Sequence, residues 1–165
     1  MTAPRCIPLD AIRDEPVGGK AEGLTRLVRH GFDVPAAFVI IGAAAHALPD
    51  DLEAQYERIG GGKVAVRSSA IGEDSSDASF AGQYETVLNV EGVDALRKAI
   101  EQCVQSLDNA RATAYRSDQT QLRETDMSIV VQQMVDARAA GVLFTANPVN
   151  ARRDQVVIDA VAGLG

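Results

Sequence analysis

The sequence predicts a mixed α/β (α+β) fold, and three observations carry that prediction. Short apolar runs rich in β-branched residues, such as Val64–Val66 and Ile129–Val131, are typical of buried strands. Two longer segments instead repeat apolar residues at the spacing of amphipathic helices. The length of 165 residues and the hydrophobic content of 46% are sufficient for one domain with a substantial core.

The composition excludes several classes of function. The formal net charge of -7 repels polyanions, and no cluster of basic residues with interleaved aromatics accompanies it, so we expect no nucleic-acid partner. Cys6 and Cys103 lie far apart without metal-ligand spacing, which favours two reduced thiols in a cytoplasmic protein. No apolar run approaches ~20 residues, and Met1–Asp10 lacks the apolar core of a signal peptide, so no membrane association is expected.

The first predicted helix begins at the segment 16–20, PVGGK, and ends at Gly31. Its apolar positions, Ala21, Leu24, Leu27 and Val28, recur at helical spacing. Gly18 and Gly19 leave the N–H groups of the first turn open, and beside Lys20 these groups suit an anion. The residues alone also allow a plainer interpretation, in which the glycines are a flexible entry to the helix and Lys20 is solvated.

A strand at Phe38–Ile41 is predicted next, followed by a short helix near Ala43–Leu48 and a helix over Leu52–Ile59. The glycines of Gly60–Gly62 are interpreted as a flexible stop. They lack the spacing of a dinucleotide-binding loop set between a strand and a helix.

The central segment Val64–Val90 combines two strands with a long polar loop. The strand Val64–Val66 ends at Arg67, and the second strand is Tyr84–Val90. Between them, Ser68–Gly82 is rich in small residues with amide and hydroxyl donors, which are suited to phosphate oxygens when an arginine stands beside them. A solvated hairpin loop is the alternative that the residues alone leave open.

The remainder of the chain is predicted to form one long helix and three strands. The helix Val93–Leu107 carries a core-facing stripe that includes Leu96, Ile100 and Val104, and it continues through Ala110–Asp118 into a polar loop, Gln119–Asp126. The predicted strands are Ile129–Gln133, Val142–Thr145 and Val156–Ala160.

Several segments resemble one protein family. VAVRSSA, the acidic pair Glu73-Asp74, ASFAGQYET and VLNV are similar to the signature of the N-terminal nucleotide-binding domain of phosphoenolpyruvate synthases, pyruvate phosphate dikinases and rifampin phosphotransferases. The segments VGGKAEGLTRLVRHGFDVPAAFVI, VVQQMV and GVLFTANPV resemble the same family. The resemblance implies an ATP-grasp-like domain, of which this chain is about the N-terminal half. Residues 1–62 would be a helix-strand-helix entry, and residues 63–165 would carry the phosphate loop and the adenine-side strands.

The resemblance also implies a set of nucleotide contacts. Lys20 and Arg67 would bind the ATP phosphates and serve as the catalytic cations. Gly82 would allow the loop to close, and the hydroxyl of Thr86 would bond a phosphate oxygen or a metal-bound water. The adenine-side residues would be Gln133, Met134 and Val135. On sequence alone, Met134 and Val135 are more simply interpreted as core.

In that family the phosphoryl group passes from ATP through a histidine on a separate domain to an acceptor such as pyruvate. We therefore expect the chain to be the ATP-binding part of a dikinase-type phosphotransferase, with Mg²⁺ ligands and the acceptor-binding domains outside it. His30 and His46 lack the family's Thr-Ser-His context and are expected to be structural. The isolated chain is expected to be inactive. The alternatives are a non-catalytic nucleotide-binding module and a structural or interaction domain that retains the fold.

Overall fold

The computed structural model describes residues 3–42, 47–70, 85–116 and 127–164, and the chain divides into two compact units, Met1–Met134 and Val135–Gly165. The helices are α1 (Gly18–Arg29), α2 (Leu52–Arg58) and α3 (Val93–Arg116), with a 3-10 helix at Leu9–Ala11. The strands are β1 (Arg5–Pro8), β2 (Ala37–Ile41), β3 (Val64–Ala70), β4 (Thr86–Val90), β5 (Met127–Gln133), β6 (Ala139–Phe144) and β7 (Val157–Ala162). This mixture of helices and antiparallel sheet confirms the α+β prediction.

The first unit is built on a five-stranded sheet of order β1-β2-β5-β3-β4, in which every neighbouring pair is antiparallel. The central strand β5 pairs with β2 on one side and β3 on the other, so that Val130 lies opposite both Val39 and Arg67. Ile129, Val130 and Val131 are all buried, because helices cover both faces of the sheet at this strand. A strand covered on both faces is continuously apolar rather than alternating.

Helices α2 and α3 pack on one face of the sheet, which we call the α2/α3 face. The side chains buried there include Phe38, Ile40, Leu52, Tyr56, Val64, Val66, Leu96, Ile100, Val104, Ile129 and Val131. The Tyr56 hydroxyl donates to the carbonyl of Gly62 and accepts from the N–H of Gly92, each at 2.8 Å. The polar end of this buried ring is therefore satisfied, as burial requires.

Helix α1 packs on the opposite face, which we call the α1 face. Its core is smaller and consists of Ile7, Leu9, Ile12, Val17, Ala21, Ala37, Val39 and Val130. The two faces follow from the alternation of side chains along each strand, since neighbouring residues of a strand point to opposite sides.

Glycines end both α1 and α2 by the same arrangement. Gly31 has a φ of 80°, and the N–H of Phe32 donates to the carbonyl of Leu27 at 3.1 Å. Gly60 and Gly61 make the corresponding bonds to carbonyls of the last turn of α2, at 2.9 and 3.0 Å. Both ends are Schellman motifs, which satisfy carbonyl groups that a helix terminus leaves unpaired. The predicted end of α1 is confirmed, and Gly60–Gly62 is a hydrogen-bonded stop rather than a merely flexible one.

Most of the predicted elements are present with ends shifted by a few residues. The long helix from Val93 is confirmed, and its Leu96, Ile100 and Val104 side chains are buried. Strand β1 was not predicted, since an edge strand with a charged residue and a proline lacks an apolar pattern. Residues 43–46 of the predicted short helix lie outside the described residues, as does Tyr84, while Ala47 and Leu48 are not helical.

The second unit is a two-stranded antiparallel ribbon of β6 and β7, in which Ala139 pairs with Ala162 and Phe144 with Val157. In the connection, the N–H of Asn147 donates to the carbonyl of Arg152 at 2.8 Å. None of the helices in the described ranges combines the length and the apolar character that a membrane crossing requires.

Candidate functional site

Arg67 lies in the middle of β3, between β5 and β4. Its register partners are Val130 on β5 and Thr86 on β4, and such partners share one face of an antiparallel sheet. All three side chains therefore lie on the α1 face. The Arg67 side chain is half-buried, and its Nε atom is buried without a hydrogen-bond partner among the described residues. An unpaired buried donor costs about 1–3 kcal/mol, so this atom is suited to a ligand that brings an oxygen acceptor.

Ser69, two residues beyond Arg67 on the same strand and face, contacts the start of α1. Its Oγ accepts a hydrogen bond from the N–H of Ala21 at 3.2 Å. Gly18 has a φ of 74°, and a Cβ at this position would lie 2.6 Å from the carbonyl carbon, the carbonyl oxygen and the Oγ of Ser69. Glycine alone accommodates both the positive φ and so close an approach. The packing of α1 on β3 thus requires the glycine at the start of this helix.

A second serine holds the same turn of α1. Ser128, the register partner of Ser69 on β5, donates a hydrogen bond from its hydroxyl to the carbonyl of Val17. Both serines are buried, with 0% of Ser69 and 2% of Ser128 exposed. Two neighbouring strands therefore bind the first turn of α1 through paired side-chain hydrogen bonds, and this geometry disagrees with the interpretation of a flexible helix entry.

Lys20 lies in the first turn of α1 and is half-buried. Because the N–H of Ala21 is bonded to Ser69, and Ser69 follows Arg67 by two residues, the Cα atoms of Lys20 and Arg67 are at most about 15 Å apart. Two long side chains can reach a common ligand from such positions. The structure thus brings Lys20 and Arg67 to one side of the sheet.

Two other residues were assigned to phosphate binding. Thr86 begins β4, is exposed and lies opposite Arg67 on the α1 face. Gly82 lies outside the described residues, as do Glu73 and Asp74. The roles assigned to Gly82 and Thr86 remain predictions.

Gln133, an adenine-side candidate, ends β5 on the face opposite Arg67. It pairs with Val64, whose side chain is buried in the core of the α2/α3 face. A Cβ placed on Gly60, which follows α2, would lie 3.3 Å from the Nε2 atom of Gln133. The side chains of Gln133 and Arg67 therefore leave the sheet in opposite directions.

Gln132 is a residue of the α1 face that the sequence analysis missed. It pairs with Ala37, which belongs to the core of that face, and its Nε2 donates to the carbonyl of Pro35 at 3.4 Å. Gln132 is half-buried and stands two residues from Val130, the partner of Arg67. Its amide side chain therefore shares a face with the Arg67 guanidinium.

Met134 and Val135 follow β5. Met134 is half-buried, and its N–H donates to the carbonyl of Lys63 at 2.9 Å. Val135 begins the second unit, and 56% of it is exposed. The simpler interpretation of both residues as core is therefore wrong for Val135.

The described residues contain no cluster of metal ligands, and the histidine among them is hydrogen-bonded to the backbone. Within these residues, no group of three His, Cys, Asp or Glu side chains could hold a metal ion. His30 lies at the end of α1, where its Nδ1–H donates to the carbonyl of Arg26 at 2.8 Å, and His46 is outside the described residues. The structure supports a structural role for His30.

Comparison with known families supplies the decisive observation. Residues 42–165, most of the chain, match the model of the pyruvate phosphate dikinase AMP/ATP-binding domain. The chain belongs to this family. The family match confirms the predicted resemblance and the prediction that this chain is an ATP-binding domain.

Individual relatives agree with this assignment. The chain is 34% identical to the phosphoenolpyruvate synthase of Aeropyrum pernix, over 90% of this chain and 25% of that protein. It is 50% identical to the phosphoenolpyruvate synthase of Pyrococcus furiosus over 62% of this chain and 13% of that protein. It is 36% identical to the prodigiosin synthesizing transferase PigC of Serratia marcescens, over 90% of this chain and 20% of that protein. The chain thus spans a quarter or less of the length of these relatives.

Proposed function

We propose that the α1 face binds the phosphates of ATP and serves a dikinase-type phosphotransferase, in which a histidine on another domain receives the phosphoryl group. In this proposal the final acceptor is a small molecule such as pyruvate. The domain is of the ATP-grasp type in this proposal. The observation that carries it is the buried Nε of Arg67, which has no partner among the residues that the structure describes and lies on the sheet face that also holds the start of α1.

The cations on this face have different tasks. Phosphoryl transfer depends on neutralising charge and on positioning the transferred group more than on covalent chemistry by the binding domain. The Arg67 guanidinium is a planar fork that binds phosphate oxygens in pairs, whereas the Lys20 ammonium is a point charge at the first turn of a helix. The N-terminal end of a helix favours an anion as well, through its dipole and its N–H groups.

The adenine end of the nucleotide is proposed to lie beside the end of β5. Gln133 donates its backbone N–H to the carbonyl of Ala36 at 2.8 Å. Ala36 lines a cavity of about 220 Å³, together with Pro35 and Ile59. Val64, the partner of Gln133, stands three positions before Arg67 on β3, a distance of about 10 Å. One nucleotide is long enough to extend over that distance, so the base is proposed to lie beside the Gln132 side chain at the end of β5.

Mg²⁺ is proposed to be held by residues other than those described. The described residues offer no cluster of three metal-ligand side chains, so the set present does not fit a resident ion. When bound with ATP, the ion would neutralise phosphate charge. The steps proposed for this chain use its own cations alone.

Calorimetric titration with ATP, with and without Mg²⁺, tests the proposal. We expect weak binding by the wild-type chain and a loss of about 10- to 100-fold in Arg67→Ala, because hydrogen bonds to charged groups contribute about 1.5–3 kcal/mol. Lys20→Arg should change the affinity less, since it keeps the charge. Arg97→Ala is the matched control, because Arg97 is exposed on α3 at the other face of the sheet.

The same measurements separate the alternatives. Phosphate release by the isolated chain should be far below the ordinary enzyme rate of about 1 per second or more. Binding that depends on Arg67, combined with no transfer by the full natural protein, would favour a non-catalytic nucleotide-binding module. Equal titrations for wild type, Arg67→Ala and Arg97→Ala would refute the phosphate site and favour an interaction domain.

A further inference from the structure

We infer that Ser69 and Ser128 are positioning residues of the phosphate site, which fix Lys20 relative to Arg67 by binding the first turn of α1 to the sheet. The inference rests on the proposed function, since it assigns a task to residues that hold its two cations in place. Neither serine contacts the proposed ligand in this role. Each acts through the backbone of α1.

The hydrogen bonds of the two serines are complementary. Ser69 accepts from the N–H of Ala21, at 3.2 Å, while Ser128 donates to the carbonyl of Val17. The serines are register partners on β3 and β5, so the donor and the acceptor stand side by side. A hydroxyl on each strand thus binds a backbone group on either side of Lys20, and the turn is restrained at both of its ends.

Gly18 allows the backbone of α1 to lie in direct contact with Ser69. Its backbone lies against the carbonyl and the Oγ of Ser69, in a space that no Cβ could enter. Ser69 follows Arg67 on the same strand and the same face. A shift of α1 relative to β3 would therefore move Lys20 but leave Arg67 in place. Two cations that bind one triphosphate must keep a fixed separation, because misplacement of about 1 Å reduces the benefit of a prearranged site.

The burial of Ser69 and Ser128 shows that their hydroxyls do not bond to bulk water. Both serines are essentially inaccessible to solvent. A polar group buried at such a position is tolerated when it is hydrogen-bonded. The bonds are made to the helix that carries Lys20 rather than within either strand.

A double-mutant cycle tests the inference. Ser69→Ala should weaken ATP binding about five- to tenfold in the otherwise wild-type chain and less than twofold in the Lys20→Met background. Ser128→Ala should behave in the same way. A merely structural serine would lower the affinity by the same factor in both backgrounds, and that result would overturn the inference. Thr25→Val is the matched control, because its buried hydroxyl lies on the same helix and donates to the carbonyl of Ala21 within that helix, not to the sheet, among the described residues.

Amide hydrogen exchange provides a readout that needs no ligand. In Ser69→Ala, exchange over 18–21 should be at least about fivefold faster than in wild type, since one hydrogen bond of the turn is lost. Unchanged exchange in that segment would also overturn the inference. ATP binding that depends on Arg67 but not on either serine would refute the positioning role alone. No ATP binding by the wild-type chain would refute the proposed function, and this inference with it.

Discussion

The two faces of the five-stranded sheet are covered by helices, but they differ in what the helices leave uncovered. On the α2/α3 face, large side chains such as Tyr56, Leu96 and Ile100 are almost fully buried, and the Tyr56 hydroxyl has both a donor and an acceptor as partners. The α1 face has a smaller apolar core. Beside that core lie the exposed Thr86 and the half-buried Arg67, whose Nε has no hydrogen-bond partner within the described part of the chain.

The difference separates two tasks within one sheet. A face whose polar groups are all satisfied contributes stability and offers little to a ligand. A buried donor that lacks a hydrogen-bond partner lowers the free energy of unfolding of the protein, and a ligand can supply the missing acceptor. Substitutions on the two faces should therefore have different signatures, on stability for one and on ATP binding for the other.

The largest effect is expected for Ile100→Ala on the α2/α3 face. Ile100 is fully buried in α3, and truncation of such a side chain costs about 2–5 kcal/mol through lost transfer energy and a residual cavity. The free energy of unfolding from urea titration measures the loss. ATP affinity under conditions where the variant is folded should stay within twofold of wild type, and a larger change would contradict the separation of tasks.

Gly18→Ala and Gly23→Ala form the second test, on a single helix. Gly18→Ala should destabilise the chain by about 2–4 kcal/mol, because it combines a strained positive φ with contact against Ser69. At Gly23, a Cβ would meet nothing within 4 Å, so Gly23→Ala should stabilise the chain by about 0.5–1 kcal/mol. Thermal and urea unfolding of both variants measures the pair. Equal effects at the two positions would show that the contact with Ser69 is not what requires a glycine.

The elements of the fold could largely be predicted from local pattern. The stripe of Leu96, Ile100 and Val104 identifies α3, and Gly31 marks the end of α1, because these signals arise within a few residues of one another. Strand β1 lacked such a signal. It is an edge strand, and its pairing with β2 depends on residues about thirty positions away.

The candidate site was less accessible to prediction. Arg67 and Lys20 follow from short motifs, but the serine contacts join residues 48 and 111 positions apart. The directions of Gln132 and Gln133 were also hidden, because β5 is buried on both faces and its continuous apolar run shows no alternation. Only the register with β2 and β3 assigns each glutamine to a face.

These adjacent glutamines give the third prediction. If ATP lies on the α1 face, Gln132→Ala should weaken ATP binding about five- to tenfold, the loss expected for about one side-chain hydrogen bond. Gln133→Ala should change the affinity less than twofold, since its side chain lies on the opposite face beside Gly60. Calorimetric titrations of the two variants measure the ratio. A larger loss in Gln133→Ala would mean that the base lies on the α2/α3 side, and it would contradict the division of tasks between the two faces.

The smallest predicted effect concerns Cys103, a thiol enclosed by the α2/α3 face. Burial, followed by the charge of Glu85, raises the pKa of Cys103 from its ordinary value of 9.0 to about 12.

The folded chain therefore keeps this thiol neutral at a pH where the unfolded chain ionises it. The resulting stability is present below about pH 9 and is lost as the pH rises toward 12. Between pH 7 and pH 9.5, this thiol alone should reduce the free energy of unfolding by about 0.8 kcal/mol.

Urea titrations at the two pH values, for wild type and for Cys103→Ala, isolate this contribution, because every other titrating group is present in both proteins. The decrease in stability between the two pH values should be about 0.8 kcal/mol smaller in Cys103→Ala. The same decrease in both proteins would mean that water reaches the thiol, and that the α2/α3 face is less closed to solvent than its buried side chains indicate.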